Sequence, residues 1–222
     1  MPSLTRIYDV LIGPVFWLAA VVFVGGSLFR ITRVLWSVHK KERFIYSYMS
    51  GTYALRSIFH WLIPFAATGW RQRPLFTIIT FVFHICLLGL PFFVAGHIVL
   101  VEQAWGIGWR SLPPGVALYL TGAVIGCLGF FSVRRIVSRD VRYVTTWSDY
   151  AILLLVSAPF ISGLLAWFQW LNYPFWMLLH ILSGEILLVA IPFTRLSHMF
   201  FFPLTRAYTG SEFGAVRHSK DW

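Results

Sequence analysis

Four histidines lie in stretches that otherwise carry almost no charge, His84 and His97 in one, His180 and His198 in another. A titratable ring in hydrocarbon is costly unless it has a partner, and for a neutral imidazole the most demanding partner is a metal. His180 and His198 are 18 residues apart. On one continuous helix that is five turns and about 27 Å of rise, so both rings leave the same face. His84 and His97 are 13 residues apart, which gives about 20 Å of rise and an angle of about 140° on an ideal helix. Pro91 lies between them and is expected to kink the helix, restoring a shared face. With the two stretches antiparallel, His97 meets His180 at one depth and His84 meets His198 at the other. Two imidazoles facing each other across a helix interface supply both axial ligands of a haem iron, and such a site passes electrons without binding oxygen. Gly89, Gly96 and Gly184 beside the ligands would let a flat macrocycle approach the backbone.

The bland reading of any one intramembrane histidine is a hydrogen bond to a neighbouring helix. Depth pairing of all four is what favours ligation. His39, His60 and His218 belong to a loop and the tail, where a solvated or interfacial role is expected, although Phe59-His60-Trp61 is apolar enough to dip into a membrane. Glu185 sits five residues after His180, about 140° round the helix and off the ligand face. A carboxylate there marks either proton movement or a hydrogen bond to a Ser or Thr of another helix, with the second favoured. Cys86 and Cys127 are the only cysteines and both lie in apolar runs. They exclude a disulfide framework or a thiolate-held iron–sulfur cluster within this chain, and no Cys-x-x-Cys-His motif attaches a haem covalently.

The elements that must position these residues are membrane spans. Hydrophobic residues make up 58% of 222 and charged residues 12%, with a mean hydropathy of +0.73. A soluble domain could not carry that surface. The apolar runs predict an all-α bundle of five transmembrane helices over about 10–32, 74–101, 113–134, 149–168 and 174–201, in a single membrane domain 1–222. The first span has no secretory cleavage site after it and is expected to be retained. Between the first two spans, part of the stretch from Phe44 to Trp70 reads as an interfacial amphipathic helix on the cytoplasmic side.

The net charge of +10 is sorted strongly by side. Sixteen of the eighteen Lys and Arg fall on one side, at the end of the first span with Arg30, in the first and third loops and toward the tail, against Arg6 and Arg110 on the other. By the positive-inside rule the N-terminus is periplasmic and the C-terminus cytoplasmic, and the basic charge speaks for topology rather than nucleic acid.

At these residues the chain resembles the gamma subunit of respiratory nitrate reductase, a five-helix dihaem cytochrome b. The likeness runs from Ile12–Arg30 through Phe83-His84, Gly96-His97 and the Arg134-Arg135 loop to Arg142 and Asp149. It continues from His180 to Pro192-Phe193-Thr194-Arg195-Leu196-Ser197-His198. The 13-residue spacing is wider than in nitrate reductases and is more similar to the cytochrome b subunits of the Tmc, Hmc and Dsr transmembrane redox complexes of sulfate-reducing bacteria. The resemblance implies two b-type haems in an inner-membrane subunit that exchanges electrons with menaquinone. It also implies a cytoplasmic iron–sulfur partner of heterodisulfide-reductase type, a periplasmic multihaem cytochrome c and other membrane subunits. The quinone pocket of the family maps near Gly96, His97 and His180, although the loop from Glu102 to Leu112 does not match. Arg134, Arg135, Arg142 and Arg195 are candidates to pair with haem propionates, with lipid headgroups as the alternative. Such a subunit is not catalytic alone, and nitrate reduction is not expected of it. Two other functions remain open: a haem-free membrane anchor, and a small proton-coupled transporter using Glu185 and the histidines as a relay.

Overall fold

A computed structural model describes residues 2–222, with side chains from Leu4 onward. It is helical throughout, with no strand among the described residues. Five helices are long and apolar enough to cross a bilayer, over Leu4–Lys41, Pro74–Phe93, Pro114–Val137, Trp147–Trp167 and Tyr173–Phe193. The protein is a multi-pass membrane protein. Its span surfaces are apolar on the outside, with Ile85 69% and Leu154 70% exposed, because in lipid only the backbone must be satisfied internally.

Two compact units divide the chain. One holds Ile78–Gly184 with the N-terminal residues to Tyr8, and the other holds Asp9–Thr77 and Glu185–Trp222. The helix α1 (Pro2–Val10) passes through a single π turn at Leu11–Val15 into α2 (Phe16–Lys41). Pro14 lies inside that turn, and its missing N–H explains the widened backbone there. The helix extends past the expected end near residue 32, and the surplus carries Arg33, His39, Lys40 and Lys41, which belong outside hydrocarbon.

In the first unit, α5 (Pro74–Phe93) and α6 (Ala95–Trp105) replace the single second span expected over 74–101. Gly106 closes α6 in the left-handed conformation at φ 68°. Then follow α7 (Pro114–Val137), the short α8 (Arg139–Tyr143), α9 (Trp147–Trp167) and α10 (Tyr173–Ala190). The turn from α7 to α9 is tied from both ends. Thr146 and Asp149 form a capping box at the start of α9. The buried Asp149 carboxylate also meets Arg135 at 3.3 Å, and Arg135 donates to Thr145 Oγ1 at 3.2 Å. Asp149→Ala removes both cap and ion pair and is expected to destabilise by about 2 kcal/mol, read as a lower midpoint in thermal unfolding of the detergent-solubilised protein.

In the second unit the amphipathic helix is α3 (Gly51–Leu62), followed by α4 (Thr68–Gln72). It packs against α11 (His198–Ser211), not on lipid alone. Gly210 lies directly on Ser57 and the Tyr53 carbonyl, so no larger residue fits there. Ser211 and Ser50 bridge the helix ends by hydrogen bonds of 3.1 and 3.2 Å. The tail closes over this pair. Asp221 accepts from Ser57 at 2.5 Å and lies 3.6 Å from Arg206, while the Trp222 ring stacks on His60 at 4.0 Å and under the Arg56 guanidinium at 4.9 Å.

The fifth span also differs from expectation. A continuous helix over 174–201 would put His180 and His198 on one face, but α10 ends at Ala190 and two 3-10 turns follow, Ile191–Phe193 and Arg195–Ser197. The backbone is extended at Thr194 (φ −118°, ψ −173°), whose side chain accepts from Leu196 N. Pro192 removes a helix donor just before it. His198 therefore starts a new helix, and the five-turn argument for a shared face does not hold.

Candidate functional site

The site in the first unit originates in the break between α5 and α6. Pro91 lacks an N–H, and three residues later Val94 leaves the helical region at φ −76°, ψ 131°. The break strips the carbonyls of Pro91, Phe92 and Phe93 of their helical donors, which hydrocarbon surroundings do not tolerate. Each finds a replacement. His97 Nδ1 donates to the Pro91 carbonyl at 2.9 Å, Trp109 Nε1 to Phe92 at 2.7 Å, and the Leu112 N–H to Phe93 at 2.9 Å. The loop after α6, through Trp109 and Leu112, thus closes the break. Trp109→Phe leaves the Phe92 carbonyl unpaired, and a loss of about 1–3 kcal/mol is expected, checked by unfolding in detergent. Because His84 and His97 lie on different helices, the ideal-helix angle between them no longer applies.

His180, on α10, is anchored by another proline carbonyl. Its Nδ1 donates to Pro159 O of α9 at 2.7 Å. One turn on from Pro159 stands Gly163, and a Cβ there would lie 2.8 Å from His180 Nδ1 and 3.0 Å from Cε1. Only glycine leaves room for the imidazole to reach that carbonyl. Sequence reasoning named Gly89, Gly96 and Gly184 and missed Gly163. No local pattern marks it, because the ring that needs the space comes from another helix.

The two rings of this unit lie close together. His97 and His180 have centroids 5.9 Å apart and planes within 9° of parallel. A carbonyl oxygen can only accept, so both Nδ1 atoms carry the proton and both Nε2 atoms keep a lone pair. With metal–imidazole bonds of about 2 Å, a metal held by two opposed rings separates their centroids by about 6 Å. The pair offers two donors, and no group of three or more His, Cys, Asp or Glu able to hold a metal gathers among the described residues. A metal bound here must bring its other ligands with it. Haem iron does, so the residues fit that group.

His84 and His198 repeat the tautomer. His84 Nδ1 donates to Thr80 O at 2.7 Å, and His198 Nδ1 to Arg195 O at 2.9 Å. The four expected ligands therefore share one arrangement, with Nδ1 on a backbone carbonyl and the lone pair on Nε2. The remaining histidines differ. His39 Nε2 meets Arg43 Nη2 at 2.9 Å, and His60 stacks on Trp222.

A Cβ at Gly89, Gly96 or Gly184 would meet nothing within 4 Å. Arg135 is engaged by Asp149 and Thr145, whereas Arg142 and Arg195 are exposed. Glu185 is 6% exposed, and neither carboxylate oxygen has a hydrogen-bond partner among the described residues. The expected bond to a Ser or Thr is not formed.

No family model matches the chain, and no solved structure matches it. The nitrate reductase gamma chain of Bacillus subtilis (strain 168) is 24% identical over 229 residues, covering 86% of this chain and 92% of that one. A protein of Nitratidesulfovibrio vulgaris (strain Hildenborough) is 38% identical over 219 residues, 95% of each chain. This chain belongs to one family with that Nitratidesulfovibrio vulgaris protein, and the nitrate reductase gamma chain is its distant homologue.

Proposed function

We propose that this chain is a dihaem cytochrome b, the membrane electron-transfer subunit of a respiratory redox complex. One observation carries the reading: the parallel pair His97 and His180, each held by Nδ1 on a proline carbonyl with Nε2 left to ligate. His84 and His198, with the same tautomer, are the ligands of the second haem. When bound, each haem takes up and releases one electron at a time at an iron with no open position. The chain's own part is to fix ring orientation, exclude water and keep the ligating nitrogens deprotonated, which carbonyl anchoring achieves. Gly96 leaves the macrocycle space, and Arg142 and Arg195, with Arg135 through its free face, are assigned to the propionates.

In this reading the N-terminus is periplasmic and the C-terminus cytoplasmic, supported by the 16-to-2 sorting of basic residues. Electrons pass between menaquinone or a periplasmic multihaem cytochrome c and a cytoplasmic iron–sulfur subunit of heterodisulfide-reductase type, with other membrane subunits alongside. Near-infrared magnetic circular dichroism of the oxidised protein tests the ligation. Bis-imidazole low-spin iron is expected, and a high-spin or His–Met signature contradicts it.

The unpartnered carboxylate of Glu185 is the observation in favour of the relay reading. The two separate cleanly: Glu185→Gln keeps both haems under the dihaem reading and abolishes proton transport under the other.

A further inference from the structure

Away from the histidines, the second unit holds a cavity of about 270 Å³ lined by Trp61, Gly69, Trp70, Gln72, Arg73 and Phe76. It sits where α3 and α4 lead into Pro74, the first residue of a membrane span, and so at a bilayer face. Its polar chemistry is one-sided. The side-chain groups that line it are the indoles, the Gln72 amide and the Arg73 guanidinium, and no carboxylate is among them. Trp61 Nε1 is buried without an acceptor. Such a donor in low-dielectric surroundings is a standing cost that an acceptor relieves. The ring of Trp61 is held in place by the Arg206 guanidinium at 4.7 Å on its face and by Trp70 edge-on at 5.9 Å. The Trp61 donor is therefore fixed, and the walls beside it are aromatic.

We propose that this cavity binds the phosphate of an anionic phospholipid. A phosphate diester offers acceptor oxygens and a negative charge to Arg73, the indole N–H and Gln72. The lipid, not free phosphate, is the source because the walls are Trp61, Trp70 and Phe76 and because Leu62 and Ile63 beside them are more than half exposed. Paired tryptophans at a span end are the side chains suited to the headgroup level. Bound lipid would hold the entry of the second span against α3.

Native mass spectrometry of the full chain, purified in detergent and stripped of lipid, tests this. It is titrated with phosphatidylglycerol, phosphatidylcholine of the same acyl chains, or inorganic phosphate. One phosphatidylglycerol per chain is expected, bound at least tenfold more tightly than phosphatidylcholine. Arg73→Gln and Trp61→Phe each weaken it about tenfold, Arg73→Lys restores part of the loss, and Arg43→Gln, on the His39 ring instead, changes nothing. Haem content of each variant reports that it has folded. Equal binding of phosphatidylcholine, undiminished binding in Arg73→Gln, or capture of inorganic phosphate with no phosphatidylglycerol overturns the proposal.

Discussion

Replacing His180 with Ala lowers the haem content of the purified chain from about two b haems to about one. The ring is one of a parallel pair at 5.9 Å, and its removal would leave His97 as the single protein ligand at that site. His97 keeps its own anchor at the Pro91 carbonyl, so the remaining ligand stays oriented but cannot by itself complete low-spin coordination. The second haem, assigned to His84 and His198, is untouched because those rings hang on Thr80 and Arg195. Quantifying pyridine haemochrome against protein concentration checks this, together with the low-spin signal. His97→Ala should behave the same way. Full retention of both haems in either variant would sink the assignment.

Gly163→Ala costs the same haem without touching a ligand. The added methyl would stand 2.8 Å from His180 Nδ1, well inside contact distance. The imidazole must then give up the Pro159 carbonyl, and with it the tautomer and the near-parallel setting against His97. Misplacing a ligand that must be held to about half an ångström releases the group it holds. The expected result is a fall in haem content of about half, with the remaining signal low-spin. Gly115→Ala, where a Cβ meets nothing within 4 Å, should keep both haems. A Gly163→Ala protein with unaltered haem content would show that the His180 anchor is dispensable.

The all-helical fold was legible because twenty-residue apolar runs have one structural solution in lipid. The four histidines were legible for a similar reason, since each stood out against uncharged surroundings. What periodicity could not supply was where the helices stop being helices. Pro91 announced a disturbance in the second span, but the break falls at Val94, because that is where three freed carbonyls can reach His97, Trp109 and the Leu112 N–H. The break at Thr194 was not anticipated, although Pro192 preceded it and a threonine cap followed. Gly163 was invisible for a different reason. Its importance comes from a ring seventeen residues away on another helix, which no local pattern encodes. Arg135 stood as a propionate candidate, while the capping box Thr146-Trp147-Ser148-Asp149 that places its ion-pair partner was readable from spacing alone.

The central claim is two b-type haems carried by this chain itself. The direct measurement is the dithionite-reduced-minus-oxidised absorption spectrum of the purified chain, with haem counted by pyridine haemochrome. The account predicts a b-type spectrum at about two haems per chain. A chain that is folded, as judged by its helical circular dichroism, yet shows no b-type signal when expressed with haem in excess would contradict it.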